Sequence, residues 1–256
     1  MSRLSDIERI SSRHFRKKSG ICLAEGLRCC REALQRAPER VVALYCTHAF
    51  RESPDFAPFA NLKDITLLDD KTFSQLAETE SPQGIMLLLK IPENLPPTTA
   101  GKPFTLILDR VADPGNLGTI LRTALAVGLD SCWLVKGSAD PFSPKAIRAA
   151  MGAQFTLRIH TLDTLESAAD TAHSLGVNTI WCTLPASGIS LFDPAFSLNH
   201  SALVIGNEAN GISNPAIGKA VTIPMPGGAE SLNAAQAATV FLVQSLKALT
   251  DAAGNQ

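Results

Sequence analysis

With 256 residues, 45% of them hydrophobic and 18% charged, the chain has an ordinary globular composition and a length that favours two domains. Its longest apolar runs, such as Ile85 to Leu89, are far too short to span a bilayer, and the opening MSRLSDIERI lacks the apolar stretch of a secretory signal, so a soluble, cytoplasmic protein is expected. Cys22, Cys29, Cys30, Cys46, Cys132 and Cys182 show neither C-x-x-C spacing nor companion histidines, which points to reduced, apolar-packed thiols and to no metal.

The formal net charge of −1 conceals an asymmetry. Residues 1–40 carry Arg3, Arg9, Arg13, Arg16, Lys17, Lys18, Arg28, Arg31, Arg36 and Arg40 against Asp6, Glu8, Glu25, Glu32 and Glu39, a net of +5 that leaves −6 for the remainder. The residues leave two readings open: a docking surface for an anionic partner, or a solvated helix face. This segment predicts helical stretches with a turn at Ser19-Gly20, and Leu27 to Ala37 has apolar positions at helical spacing, ending at Pro38. Strands are expected at Val41 to Cys46, Ile65 to Leu68 and Ile85 to Lys90. A helix over about Lys71 to Ala77 is capped by Asp69 or Asp70, and Ser81 to Gly84 form a turn. These elements suggest a small α/β domain over residues 1–90. Residues 91–103 are rich in proline and read as a stiff linker.

From Phe104 the pattern is that of a second α/β domain, residues 104–256. A strand at Phe104 to Leu108 leads through the loop D-R-V-A-D-P-G-N-L-G to a helix at about Thr119 to Val127. Strands at Cys132 to Val135, Thr156 to Ile159, Thr179 to Thr183 and Ala202 to Ile205 alternate with helices, one of them opened by Pro144. The chain ends in a long helix for which Ser231 is well placed as N-cap. Buried strands alternating with helices imply a parallel sheet covered on both faces.

Ligands of such sheets bind beyond the carboxyl ends of the strands. Three segments there are rich in Gly, Asn and charge: N-x-G-x-x-x-R-T-A at Asn116 to Ala124, V-I-G-N-E at Val204 to Glu208, and I-P-M-P-G-G-x-x-S-L-N at Ile223 to Asn233. Taken singly, Asn116 is an ordinary turn residue, Arg122 a surface arginine, Glu208 a turn carboxylate and Ser231 a helix cap. Together and in this order, the three segments resemble the signature motifs of the SpoU (TrmH-like) RNA 2′-O-ribose methyltransferases, a resemblance that covers Phe104 to Ala248. The front segment, with R-H-F-R-K-K-S-G-I-C-L-A-E-G and S-P-Q-G, resembles that family's substrate-binding domain.

The resemblance implies an α/β fold with a deep trefoil knot, a homodimer with the active site near its interface, and S-adenosylmethionine as cofactor. The cofactor would lie among Thr183, Leu184, Ile205, Gly206, Asn207, Ile223, Met225, Leu232 and Ala234, with Met225 as a wall for adenine. Arg122, Asn116, Glu208, Ser231 and Asn233 would form the catalytic set. The family's proposals make the residue matching Arg122 the base, but a guanidinium keeps its proton in proteins. The physically preferred role for Arg122 is to clamp the phosphate beside the target ribose, with Asn116, Glu208, Ser231 and Asn233 orienting it, and Glu208 stands open as the proton acceptor. Arg13, Arg16, Lys17, Lys18 and Arg28 would then meet the phosphates of an rRNA or tRNA, rRNA being favoured. One departure stands out: after Asn233 the chain reads Ala-Ala-Gln-Ala, with Gln236 where a small apolar residue is usual.

Two other readings compete. One is a knotted enzyme that methylates a base. The other is a non-catalytic RNA-binding or ribosome-assembly factor, which predicts damaged motifs that this sequence does not have. A nicotinamide-dependent dehydrogenase is disfavoured because no G-x-G-x-x-G with a following acidic residue is present.

Overall fold

The computed structural model describes residues 7–253, with side chains as far as residue 246; Arg3 and Asp6 of the basic segment lie outside the described residues. The chain divides into two compact units, Met1–Glu93 with Asp140–Thr156, and Asn94–Ala139 with Leu157–Gln256.

The first unit begins with helix α1 (Arg13–Ser19), whose N-cap Ser12 accepts the amide of Phe15. It ends at Gly20, in the left-handed region at φ 68°, a conformation glycine adopts without strain. Strand β1 (Ile21–Glu25), helix α2 (Leu27–Arg36), strand β2 (Val41–Thr47), helix α3 (His48–Glu52), strand β3 (Ile65–Leu68), helix α4 (Asp70–Leu76) and strand β4 (Ile85–Lys90) follow. The sheet order is β1-β4-β2-β3, with β2 and β3 parallel and the other pairs antiparallel. The continuous apolar run of β4 is explained by burial on both sides. Ile85, Leu87 and Leu89 join the cysteines and phenylalanines under α2, while Met86 and Leu88 face Ile7, Ile10, Tyr45 and Phe73. Helix α4 is capped by Asp69, which accepts the amide of Thr72. The helix Pro144–Ala150 and its flanks also belong to this unit, because Phe142, Ile147 and Phe155 are buried in the core beneath α2.

The second unit contains strand β5 (Thr105–Leu108), helix α5 (Pro114–Ala126), strands β6 (Ser131–Val135) and β7 (Arg158–Leu162), and helix α6 (Leu165–Ser174). Strands β8 (Thr179–Thr183), β9 (Ile189–Ser190), β10 (Ser201–Ile205) and β11 (Lys219–Thr222) precede helix α7 (Ala234–Ala253). All pairs in the seven-stranded sheet β7-β6-β5-β10-β8-β11-β9 are parallel. Trp133, Ile180, Cys182 and Val204 face α6 on one side of the sheet. Leu117, Ile120 and Leu121 of α5 and Ala238, Phe241 and Leu242 of α7 are buried as well. Chain order reverses at β5, with β6 on one flank and β10 on the other, so a crevice opens past Leu108, Thr183 and Ile205.

Three expectations need correction. Helix α5 begins at Pro114, not near Thr119, because Asp113 caps it by accepting the Asn116 amide at 2.8 Å and Pro114 takes the first helical position. The strand expected at Thr156 lies at Arg158–Leu162, since Ala153–Phe155 form a tight helical turn that Thr156 closes. Helix α7 is capped by Asn233 and not by Ser231: the Asn233 carboxamide oxygen accepts the amides of Ala235 at 2.9 Å and Gln236 at 3.3 Å.

Candidate active site

Beyond the strand ends lies a cavity of about 310 Å³. Thr183 and Leu184 after β8, Ile205, Gly206 and Asn207 after β10, Ile223 and Met225 after β11, and Leu232 and Ala234 at the start of α7 all line it. The nine residues singled out in the sequence as a cofactor cradle therefore share one wall. Ala237 and Phe241 complete it from α7; their spacing from Ala234 is that of one helix face, a signal present in the sequence but overlooked. Glu208, Glu230 and Ser231 put polar groups on the rim.

Gly206 is set by close approach. A β-carbon there would lie 2.5 Å from the Gly211 carbonyl carbon, so any side chain would force the loop open. That loop is closed by paired Asn207–Gly211 backbone bonds of 2.9 Å and by the Asn207 carboxamide oxygen, which accepts the amides of Ala209 and Asn210. Asn207 thus builds the loop as well as lining the cavity.

Three of the five expected catalytic residues meet in one hydrogen-bonded chain. The Asn233 Nδ2 donates to Asn116 Oδ1 at 3.0 Å, and Asn116 Nδ2 donates to Glu208 Oε1 at 2.8 Å. Glu208 Oε2 accepts the Ala112 amide at 3.2 Å. Partial burial pushes the Glu208 carboxyl up, but the hydrogen bonds from the Asn116 side chain and from its own, Ala112 and Asp113 backbone amides outweigh this and hold it below the ordinary glutamate value. Asn116 can join this chain because the early start of α5 brings it into the first helical turn.

The other two do not join it. Ser231 lines the cavity instead. Arg122 is exposed on α5, with no hydrogen bond or ion pair among the described residues. The cysteines do not compete for chemistry. All six are free and buried, and burial, followed by the charge of Asp109, pushes the thiol of Cys182, the residue before Thr183, up to about 11.

In the first unit Arg13, Lys17, Lys18 and Arg28 are exposed, as a phosphate-facing surface requires. Arg16 is not. It is 3% exposed, with its guanidinium on Asp140 at 2.6 and 2.9 Å and on the carbonyls of Ile10 and Ser11, so its donors are committed inside the unit. The expected RNA contact at Arg16 is corrected to a structural ion pair, because it sits on the inward side of α1.

Known proteins match both segments. The family model of the SpoU rRNA Methylase family matches residues 103–243, and that of the MRM3-like substrate binding domain matches residues 2–87. The 23S rRNA (guanosine(2553)-2′-O)-methyltransferase RlmP of Bacillus subtilis is 32% identical over 243 residues, covering 94% of each chain. Among solved structures, an AdoMet-bound rRNA methyltransferase from Sinorhizobium meliloti superposes with a TM-score of 0.77 at 26% identity, over 96% of this chain and 94% of that one. The SpoU methyltransferase AviRb from Streptomyces viridochromogenes, 24% identical, shares the fold with a TM-score of 0.84 over 98% of both chains. With more than half its length matched by the family model and a relative of this identity along nearly the whole chain, the protein belongs to the SpoU rRNA methylase family.

Proposed function

We propose that the protein is an S-adenosylmethionine-dependent methyltransferase acting on a ribose 2′-hydroxyl of ribosomal RNA. The observation that carries this reading is the adjacency of the cavity to the Glu208–Asn116–Asn233 chain. The cavity suits the cofactor chemically. Leu184, Ile205, Ile223, Met225 and Phe241 offer an apolar slot for adenine, and Glu208 and Glu230 offer carboxylates to a ligand that carries positive charge. Held there, S-adenosylmethionine would supply a methyl group activated by a positively charged sulfur, with a neutral thioether as leaving group.

The chain's own residues then do the rest. Arg122, uncommitted among the described residues, grips a phosphate in bidentate fashion and sets the adjacent ribose in line. Asn116 and Asn233 hold Glu208 in a fixed orientation. A ribose oxygen that has begun to bond carbon becomes a strong acid, so the ionised Glu208, although a weak base, takes its proton. Arg13, Lys17, Lys18 and Arg28 contact the RNA backbone.

We further place the protein in the cytoplasm as a homodimer with a knotted second unit. The dimer is supported by exposed Leu232 next to Asn233 and by exposed Val240, Val243 and Leu246 along α7, and the knot by the likeness to the family's solved structures.

The test is transfer of a radiolabelled methyl group to total RNA from a strain lacking the protein, alongside Arg122→Ala. Label in alkali-resistant linkages of rRNA, lost in the variant, is expected. Label on a base would overturn the 2′-hydroxyl, and no transfer to free or ribosome-bound RNA despite cofactor binding would favour an assembly factor.

A further inference from the structure

Asp109, the first residue past β5, is completely buried, yet it neither lines the cavity nor belongs to the Glu208–Asn116–Asn233 chain. An isolated buried carboxylate is costly and persists only where its bonds repay it. One of its oxygens accepts the Ser213 amide at 2.6 Å. The other has no hydrogen-bond partner and faces the Arg110 guanidinium at 3.4 Å, and the Asp109 amide donates to the Ile205 carbonyl at 2.8 Å. The bonds to Ser213 and Ile205 tie the loop after β5, which leads into Asn116, to the end of β10 and the segment after it, which carries Glu208.

The next residues repeat the connection. Arg110 is held in the left-handed region at φ 57°, where a side chain is strained, and its carbonyl accepts Asn207 Nδ2 at 2.7 Å. Two residues on, the Ala112 amide reaches Glu208. Ser213, Asn207 and Glu208 are thus pinned in turn to Asp109, Arg110 and Ala112. At the far end of the same loop Asn214 donates to Glu166 at 2.8 Å, anchoring it to α6. Asn116 is the one side chain that hydrogen-bonds the Glu208 carboxylate among the described residues, the rest of its bonds coming from backbone amides, so the carboxylate's place depends on how these clamps set the two backbones against each other.

We propose that Asp109 is a positioning residue for methyl transfer, the buried clamp that sets the Glu208-bearing loop against Asn116. The inference rests on the methyltransferase reading for its kinetic consequence but not for its structural one. Its test therefore has two readouts on Asp109→Asn, which keeps size and shape but weakens the acceptor for Ser213 and turns a donor toward Arg110. The first is the side-chain amide resonance of Asn116 in protein labelled at asparagine, which reports its bond to Glu208 without RNA or cofactor. The second is methylation kinetics.

The Asn116 signal should move toward its position in Glu208→Gln. The turnover rate should fall on the order of ten- to a hundred-fold with KM for RNA altered less than two-fold, since small displacements of reacting groups act on the chemical step. Asp109→Ala should do the same more strongly; should it fail to fold, the isosteric Asn variant carries the test alone. An unmoved Asn116 signal in a folded Asp109→Asn protein, or unchanged turnover with a moved signal, would overturn the positioning role. Were the wild-type protein itself to transfer no methyl group, the function would fall while the resonance still decided the clamp.

Discussion

At the level of single residues, the polar chain on the cavity rim is the most consequential feature. Asn116 is its middle member, receiving one bond and giving another, so Asn116→Ala severs Asn233 from Glu208. Methyl transfer by this variant should fall by about a hundred-fold in single-turnover assays, with cofactor affinity within two-fold of wild type, because Asn116 does not line the cavity. Glu208 provides a separate check through pH. Its carboxyl sits below the ordinary value in the folded protein, so its bonds contribute stability at pH values above the usual glutamate pKa, and this is lost as pH falls through the lowered folded value. Thermal unfolding from pH 7 to pH 3 should therefore show a shallower acid decline for Glu208→Gln than for wild type. These residues were legible in the sequence as types in a motif. Their mutual bonding was not, since Asn116 and Glu208 lie 92 positions apart and meet only through the pairing of β5 with β10.

Among the elements, α7 takes its cap two positions beyond the residue expected to supply it. Ser231 has the right chemistry for a cap, but two further residues, Leu232 and Asn233, precede the helix, and Asn233 satisfies the first amides. Asn233→Ala should cost about 1 kcal/mol and lower Tm by about 2–4 °C, whereas Ser231→Ala should leave Tm unchanged in the same calorimetric scan. The loss in Asn233→Ala should be accompanied by reduced methyl transfer, because the same side chain braces Asn116. The start of α5 was misplaced for a related reason: Pro-Gly suggests a turn, yet Asp113 before Pro114 makes the pair the first turn of a helix. Strand β1 falls inside the basic segment, for which helical stretches were expected, and the five residues of α3 are too few for a 3.6-residue period to register.

For the molecule as a whole, the basic segment separates into a surface and a buried pair. Lys17→Ala and Lys18→Ala should leave unfolding unchanged while lowering the slope of log affinity for RNA against log salt by on the order of 0.7–0.9 each, measured by titration at several salt concentrations. Arg16→Ala should behave oppositely. It strands the largely buried Asp140 without its cation and should destabilise the protein by about 3–5 kcal/mol in denaturant unfolding, with little direct effect on the salt slope. Charge counting along the chain cannot separate these residues, because Arg16 and Lys17 differ only in which side of one helix they occupy.

What the sequence by itself determined was the identity of the parts: the α/β alternation, the parallel sheet, the nine residues of the cavity wall and the motif residues from which family membership could be read. The alternation and the sheet follow from apolar runs and turn residues, whereas the nine cavity residues follow from the resemblance to the SpoU family that the three motifs carry. The tertiary structure alone decided which parts cooperate. It joined Glu208, Asn116 and Asn233, left Ser231 at the cavity and Arg122 uncommitted among the described residues, and turned Arg16 inward to Asp140. It also placed Phe142, Ile147 and Phe155 in the core of the first unit. These outcomes depend on strand order and on which helix face meets a core, and such long-range pairings are set by the packing of the whole chain rather than by any segment of it.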